Sequence, residues 1–423
     1  MIYYKSGSEN GVITPADLKN AVWSALDKLG RRKKVLAIPP DCTRFHSKAG
    51  EITSLIYEYY SENLIDILPA LGTHAPMSEN ETDRMYAGIP YRLFRTHDWR
   101  NDVVTAGTVP GEFVEKITDG KLNYSWPAQL NKLVMNGGHD LIISIGQVVP
   151  HEVVGMANFN KNLFIGTGGH EGINKSHFVG AVYGMERIMG KADTPVRRLL
   201  DYASENFIRN LPVVYILTVI GRNDEGNLVM RGLFIGDDRE AFSLAARLSA
   251  KVNFIVTGTP LEKVVVYLDP SEYKSTWLGN KSIYRTRMAM ADNGELIVLA
   301  PGLKVFGEDR EIDRLIRKYG YRGTPSILDA VKNDPELSGN LSAAAHLIHG
   351  STEGRFSVQY CTGMLTGNEI ESVGFRYASI DEMTKQYDPA KMKDGFNLLP
   401  SGEKIYYISN PATGLWASKE ILV

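Results

Sequence analysis

The chain has 423 residues, of which 43 % are hydrophobic and 23 % charged, and its formal net charge is −2. That length suggests two domains with sizeable cores, and the near-neutral balance excludes the basic footprint of a nucleic-acid or anionic-membrane binder. Two cysteines, Cys42 and Cys361, supply neither a disulfide framework nor a thiolate zinc motif. The opening stretch has no basic leader followed by an apolar run. No apolar run nears the roughly 18–20 residues of a membrane span, so a cytoplasmic protein is expected, with no nucleic-acid or membrane partner.

In chain order, 31–41 is a basic lead-in to a short apolar strand, and 54–64 has apolar residues at helical spacing. The run 65–74 reads as a strand ending in a turn, and Asp140 to Gly146 as a buried strand ending in glycine. Residues 195–208 read as a helix and 211–221 as a buried strand. A hairpin-type turn at 223–228 sends the chain back, and 241–254 is an amphipathic helix. A second cycle follows: strand 263–269, a helix containing RTRMAMADN, strand 295–303, helix 311–320, and a stretch at 370–383 that begins strand-like. The alternation predicts a parallel sheet covered on both faces. The expected fold class is α/β with two α/β domains, the first a Rossmann-like parallel sheet. The expected domains are 1–258 for cofactor binding and 259–399 for closing over substrate. The segment of about 400–423 is a candidate to return to the first, and the active site is expected in the interdomain cleft.

Four constellations carry chemistry. Asp41, Thr43 and Arg44 lie just beyond the first buried strand, where open α/β sheets bind ligands. Arg44 suits a phosphate or carboxylate, and the ordinary alternative is a helix cap with a solvated arginine. His74 follows Gly72 and Thr73 at the next strand end and is an acid/base candidate. The third is the stretch 148–178, with His151, Lys161 and His177. A neutral imidazole can ligate a metal or move a proton, and a lysine amine can bind phosphate or form a covalent bond. His170 and Glu171 in the same stretch are further ligand candidates, and the bland reading is a glycine-rich surface loop. The fourth is Trp277 to Lys281, where the lysine suits a substrate carboxylate. His346 and His349, three apart on an apolar helix, read as structural. There is no H-E-x-x-H, no G-x-x-x-x-G-K-[ST] and no convincing G-x-G-x-x-G, which disfavours a zincin, a nucleotide triphosphatase and an ordinary nicotinamide dehydrogenase.

Together these motifs resemble the nickel-dependent lactate racemase family. Asp41-x-Thr43-Arg44 is similar to its D-x-T-R motif, and Gly72 to Pro76 to its G-x-H-x-P motif. His151 stands ten residues before Lys161, and His177 sixteen after it, as the family's catalytic histidine, tether lysine and nickel ligand do. Trp277 to Lys281 resembles its aromatic-x-x-x-Lys pattern. The resemblance implies a nickel-pincer nucleotide (pyridinium-3-thioamide-5-thiocarboxylic acid mononucleotide) tethered at Lys161, with nickel bound by His177. Asp41, Thr43 and Arg44 would help hold its phosphate, and His74 and His151 would be the acid/base pair. Lys281 and Trp277 would meet the substrate, and cofactor maturation enzymes would be partners. The implied activity is that of an isomerase: a racemase or epimerase inverting C2 of a 2-hydroxy acid by proton-coupled hydride transfer through a 2-oxo acid. Asn158-Phe159-Asn160 replaces the family's glycine-rich approach to the lysine. Trp277 and Leu278 replace tyrosine and glutamine, which opens the pocket to acids larger than lactate: a sugar acid, malate or an aromatic hydroxy acid. The competing readings are a zinc-dependent lyase or hydrolase using His151, His170 and His177, and a non-catalytic hydroxy-acid-binding protein.

Overall fold

A computed structural model describes residues 1–420, and the chain divides into two compact units. The first comprises Met1–Tyr183 and Arg187–Asn253; the second takes Gly184–Glu186 and everything described from Phe254 onward. The division falls shortly before the expected residue 258.

The strands of the first unit are β1 (Ile2–Gly7), β2 (Val35–Ile38), β3 (Leu64–Ile67), β4 (Val103–Val109), β5 (Trp126–Asn131), β6 (Leu141–Gln147), β7 (Pro150–His151), β8 (Gly155–Met156), β9 (Val213–Arg222) and β10 (Leu228–Gly236). Among the described residues, six of them form one sheet in the order β1-β10-β9-β6-β2-β3. The central pairs are parallel, with β2 between β3 and β6, and β6 beside β9. The sheet is therefore parallel at its centre, while β10 and β1 add an antiparallel edge because β9 and β10 form the hairpin expected at 223–228. Every residue of β2 and β6 is buried, as strands covered on both faces require. One face carries the helices Pro15–Leu29 and Ala49–Tyr60, whose Val22, Leu26, Ile52 and Ile56 pack on Ala37, Ile143 and Ile145. Thr14 starts the first of these with a capping box closed by Asp17.

The stretch 166–178 is not a surface loop. His170–Tyr183 is a helix, and its glycines serve close approach rather than flexibility. A side chain at Gly172 would stand 3.0 Å from the Pro127 carbonyl, and one at Gly180 would stand 2.8 Å from that of Val153. Gly172, which argues for a loop in sequence, lets the helix backbone lie on β5, and Gly180 lets it lie on the segment after His151.

The second unit holds β11 (Phe254–Thr257), β12 (Leu261–Tyr267), β13 (Met290–Leu299), β14 (Ser357–Thr362), β15 (Arg376–Ser379), β16 (Gly395–Leu398), β17 (Lys404–Ile408) and β18 (Leu415–Ser418). Its sheet runs β15-β14-β13-β12-β17-β16, parallel except for β16. The closing segment does not return to the first unit: β17 pairs with β12, and β18 pairs with β11 in register from Phe254 opposite Leu415. Two local expectations also change. The helix carrying RTRMAMADN ends at Thr286, and Met290 already opens β13. The stretch 370–383 begins inside a helix, Gly367–Ser372, which the capping box of Thr366 and Glu369 starts. No helix among the described residues is long and apolar enough to cross a membrane.

Gly180→Ala places a methyl group against the Val153 carbonyl, and the backbone must move to relieve it. The expected cost is about 1–3 kcal/mol, read by urea unfolding; unchanged stability would refute the close approach.

Candidate active site

Three adjacent parallel strands, β3, β2 and β6, end on the same side of the first unit's sheet. His74, Asp41–Arg44 and His151 follow them in that order, at the position where open α/β sheets collect ligands. Backbone hydrogen bonds tie the strand ends together. Ala70 donates to the Pro39 carbonyl at 2.8 Å and Gly72 to that of Gly166 at 2.8 Å. Asn162 finishes the seam, its amide donating to the Ile38 carbonyl and to the Ser144 hydroxyl, both at 3.0 Å.

Asp41 is buried and both its oxygens are engaged. Oδ2 meets His74 Nδ1 at 2.5 Å; Oδ1 accepts from the Thr43 backbone at 3.0 Å and its hydroxyl at 2.5 Å. Burial pushes this carboxyl up, but the hydrogen bond and charge of His74, then Thr43 and Arg44, more than offset it and hold the group below the ordinary range. Asp41 is therefore not free to help hold a phosphate as expected, and an anionic carboxylate would repel one. Thr43 turns its hydroxyl inward to the same carboxylate. Arg44 is half-buried, and its guanidinium reaches only the carbonyl and hydroxyl of Thr43, at 3.4 and 3.5 Å. Of the three, it is the one that suits an anion.

The two acid/base candidates differ in proton arrangement. Because Asp41 is ionised, His74 Nδ1 donates to it, leaving Nε2 of the neutral ring with a lone pair. His151 Nδ1 accepts from the Val153 backbone N–H at 3.1 Å, which puts the proton of its neutral ring on Nε2. One ring is set to take a proton and the other to give one.

Lys161 follows a strained turn. Asn158 and Phe159 both adopt left-handed backbone, at φ 64° and 60°, where glycine is the usual occupant. Arg197 explains how side chains are held there. Fully buried, it donates to the carbonyls of Met156 at 2.7 Å and Asn158 at 3.2 Å and to the Asn160 side chain. Its guanidinium lies 4.2 Å from the Phe242 ring centre, and Phe242 stacks on Phe159 at 5.2 Å. Asn160 in turn donates to Asp201 at 2.8 Å. Burial lowers the Arg197 pKa to about 10 and raises that of Asp201 despite the cations beside it.

Lys161 is lowered to about 8, first by desolvation and then by the charge of Arg44, against the opposing pull of Glu152 and Asp41. His177 is lowered to about 4 by desolvation, with Lys161 adding to the shift while the Ile173 carbonyl and Glu152 oppose it. Its Nδ1 meets that carbonyl at 2.7 Å, so Nδ1 donates and Nε2 keeps its lone pair. An imidazole so oriented is the form in which a histidine ligates a metal. Glu152, whose charge acts on both Lys161 and His177, was missed in the sequence, where its only signal is that it follows His151.

His170 and Glu171 lie on the surface, in the first turn of the helix His170–Tyr183. His170 stacks on Trp99 at 5.4 Å, and Glu171 pairs with Lys175 at 2.6 Å. Among the described residues no group of three or more His, Cys, Asp or Glu side chains could hold a metal, so the set His151, His170 and His177 does not assemble.

Trp277 and Lys281 form a separate group in the second unit. Trp277 stacks on His346 at 4.4 Å, and His346 Nε2 is fixed by the Tyr321 hydroxyl at 2.8 Å, itself 2.8 Å from Thr276 Oγ1. The structural role expected of His346 is thus to back Trp277. Lys281 Nζ lies 5.7 Å from the Tyr273 ring centre.

The lowered Lys161 predicts that its labelling by a small amine-acylating reagent titrates with a midpoint about 8 rather than at the ordinary value of 10.5. Peptide mass spectrometry across a pH series would read this, and a midpoint above 10 would contradict the desolvated environment.

No curated protein matches the chain. Solved structures share its fold, two of them described next. A structural-genomics crystal structure of a protein from Thermotoga maritima superposes with a TM-score of 0.80 at 23 % identity, covering 98 % of this chain and 100 % of that one. The lactate racemase apoprotein from Thermoanaerobacterium thermosaccharolyticum superposes at 0.71 and 16 % identity, covering 97 % and 94 %. Residues 8–188, which contain every candidate of the first unit, match the family model of the lactate racemase N-terminal domain. The likeness read from the motifs is thereby shown over residues 8–188, which are similar to the lactate racemase N-terminal domain, and the chain shares the fold of the lactate racemase apoprotein.

Proposed function

We propose that this protein is a nickel-pincer-dependent racemase or epimerase of a 2-hydroxy acid. The observation that carries the reading is the meeting of a desolvated lysine, a histidine with its Nε2 lone pair kept, and two histidines of opposite proton arrangement at one edge of a racemase-family domain.

The residues fit the cofactor. A lysine near pKa 8 has a neutral amine fraction at physiological pH and can form the amide-type bond of a tether. His177 offers a single imidazole nitrogen, which suits a metal whose other ligands come with the cofactor. When bound, the nucleotide would supply the two-electron acceptor that spares C2 a carbanion. Arg44 is the residue suited to its phosphate.

The protein's own part is proton handling. His74 Nε2 takes the hydroxyl proton of one stereoisomer, and Asp41 stabilises the imidazolium that results. His151 Nε2 returns a proton to the oxygen on the opposite side. In the reverse direction the two exchange roles, because the hydroxyl of each isomer points to a different base. Lys281 is assigned the C1 carboxylate, and Trp277 a wall of the pocket.

The test uses protein coproduced with the cofactor maturation enzymes. Intact mass and nickel content report the Lys161 adduct, and chiral chromatography reports inversion. His74→Ala and His151→Ala are each expected to keep adduct and nickel while lowering inversion about 10²–10⁴-fold. Turnover retained in both would overturn the reading.

A further inference from the structure

Both chain neighbours of Lys161 are buried asparagines, and each is tied to a different layer of the first unit. Downstream, Asn162 is stitched to the sheet through the Ile38 carbonyl of β2 and the Ser144 hydroxyl of β6. Upstream, the Asn160 amide donates to Asp201 at 2.8 Å and to the Ser204 hydroxyl at 3.1 Å, and its oxygen accepts from Arg197. Arg197, Asp201 and Ser204 stand four and three residues apart on the helix Pro195–Phe207, so they share one of its faces. Lys161 is therefore strung between that helix and the sheet.

The two anchors are not alike. On the sheet side the backbone is ordinary, with Lys161 itself helical at φ −59° and ψ −37°. The helix anchor instead follows the left-handed pair Asn158 and Phe159. Among the described residues, every hydrogen bond from the Arg197 side chain ends on residue 156, 158 or 160: two carbonyls and one side-chain oxygen. None ends on the Lys161 amine. The start of the helix is fixed to the same stretch, since the Thr194 hydroxyl donates to the Val154 carbonyl at 3.1 Å.

For stability alone, a buried guanidinium is a poor choice. Arg197 is 0 % exposed and its Nε meets no acceptor among the described residues, and well-packed apolar side chains commonly serve as well at such positions. An apolar side chain cannot gather three acceptors that point inward from one turn, and a planar fork of donors can. With those acceptors released, Asn158 and Phe159 have reason to leave the left-handed region. A rotation at either one redirects the chain as it enters Lys161.

We propose that Arg197 is a positioning residue for Lys161, acting through Asn160: it holds the bend that sets where the amine points, and touches no reacting atom. What the amine bonds to rests on the racemase reading; how the amine is placed does not. Glycine adopts φ near 60° without strain, so glycine at 158 and the Arg197 clamp are interchangeable means to one bend.

The test labels Lys161 in the unmodified protein with a small amine-acylating reagent across a pH series, read by peptide mass spectrometry, with urea unfolding as the control for stability. Arg197→Met removes the clamp, which lets the lysine reach water, and removes a positive charge that acts on it. Both changes favour the ammonium form. The labelling midpoint is expected to rise from about 8 toward 10.5, so that labelling at pH 8 falls about tenfold or more. Arg197→Lys keeps the charge without the fork, and its midpoint should rise as well; a purely electrostatic role would leave it at about 8. Adding Asn158→Gly to Arg197→Met should bring the midpoint back toward 8. A role in stability alone would lower resistance to urea and leave the midpoint of the folded protein where it was. That result, or a midpoint that glycine does not restore, would overturn the proposal. If Arg197→Met does not fold, Arg197→Lys with and without Asn158→Gly decides it. Coproduction with the cofactor maturation enzymes separates the two readings. A wild-type chain with no adduct at Lys161 would sink the racemase reading and leave the labelling comparison to decide the clamp. A full adduct on an Arg197→Met chain whose midpoint has not moved would sink the clamp and leave the racemase reading standing.

Discussion

The site depends on one buried cation. Arg197 has no contact with water, yet it holds two backbone carbonyls and the Asn160 side chain and lies over an aromatic ring. Those contacts over-determine a backbone that would otherwise relax. Two successive side-chain-bearing residues in left-handed conformation cost on the order of 1–3 kcal/mol each, and Phe159 is the kind of residue least suited to it. Its ring is held between Tyr215 at 4.4 Å and Phe242 at 5.2 Å, so leaving the turn would also empty part of the core. This chain obtains the bend from packing and a clamp rather than from glycine.

From that turn follows the electrostatics. Lys161 emerges among Arg44, Glu152, Asp41 and His177, each close enough to act on it or be acted on by it. Desolvation is the largest influence on both Lys161 and His177, and it favours the neutral form of each. Neutral is the form in which an amine forms a bond and an imidazole ligates a metal. Asp41 works in the other sense: its ionised state is held by His74, and it fixes the tautomer of that ring. The same carboxylate cannot also attract a phosphate, so of the first motif only Arg44 has the charge that suits an anion.

The second unit places a comparable set on one helix face. Trp277 is backed by His346, which a chain of hydroxyls from Tyr321 to Thr276 keeps in orientation. A histidine that looks structural in sequence is structural here, and through its stack it sets the attitude of a tryptophan expected to touch substrate. Arg285 continues the face beyond Lys281, buried, with Nε and Nη1 unmet among the described residues.

Much of this was legible in the sequence, because the information was local. Apolar runs marked the strands, and residues at strand ends in the order Asp41, His74, His151, Lys161, His177 pointed to the family, since spacing along a chain is a one-dimensional property. Pairing was not legible. Asp41 and His74 are 33 residues apart, and nothing in either motif says that one engages the other. Arg197 lies in a helix with ordinary spacing and shows its task only when 156–160 folds back on it. Gly172 looked like part of a loop because sequence does not record that the Pro127 carbonyl lies 3.0 Å from where its side chain would stand. The chain's closing strands were equally ambiguous, since β17 and β18 have the pattern of any buried strand, and which sheet edge receives them is settled by hydrogen-bond register with β12 and β11. Residue types and their spacing determined the family resemblance and the candidate chemistry. Only the tertiary structure decided which charges are buried, which are paired and which remain for a ligand, because burial and pairing depend on distances between residues far apart in the chain.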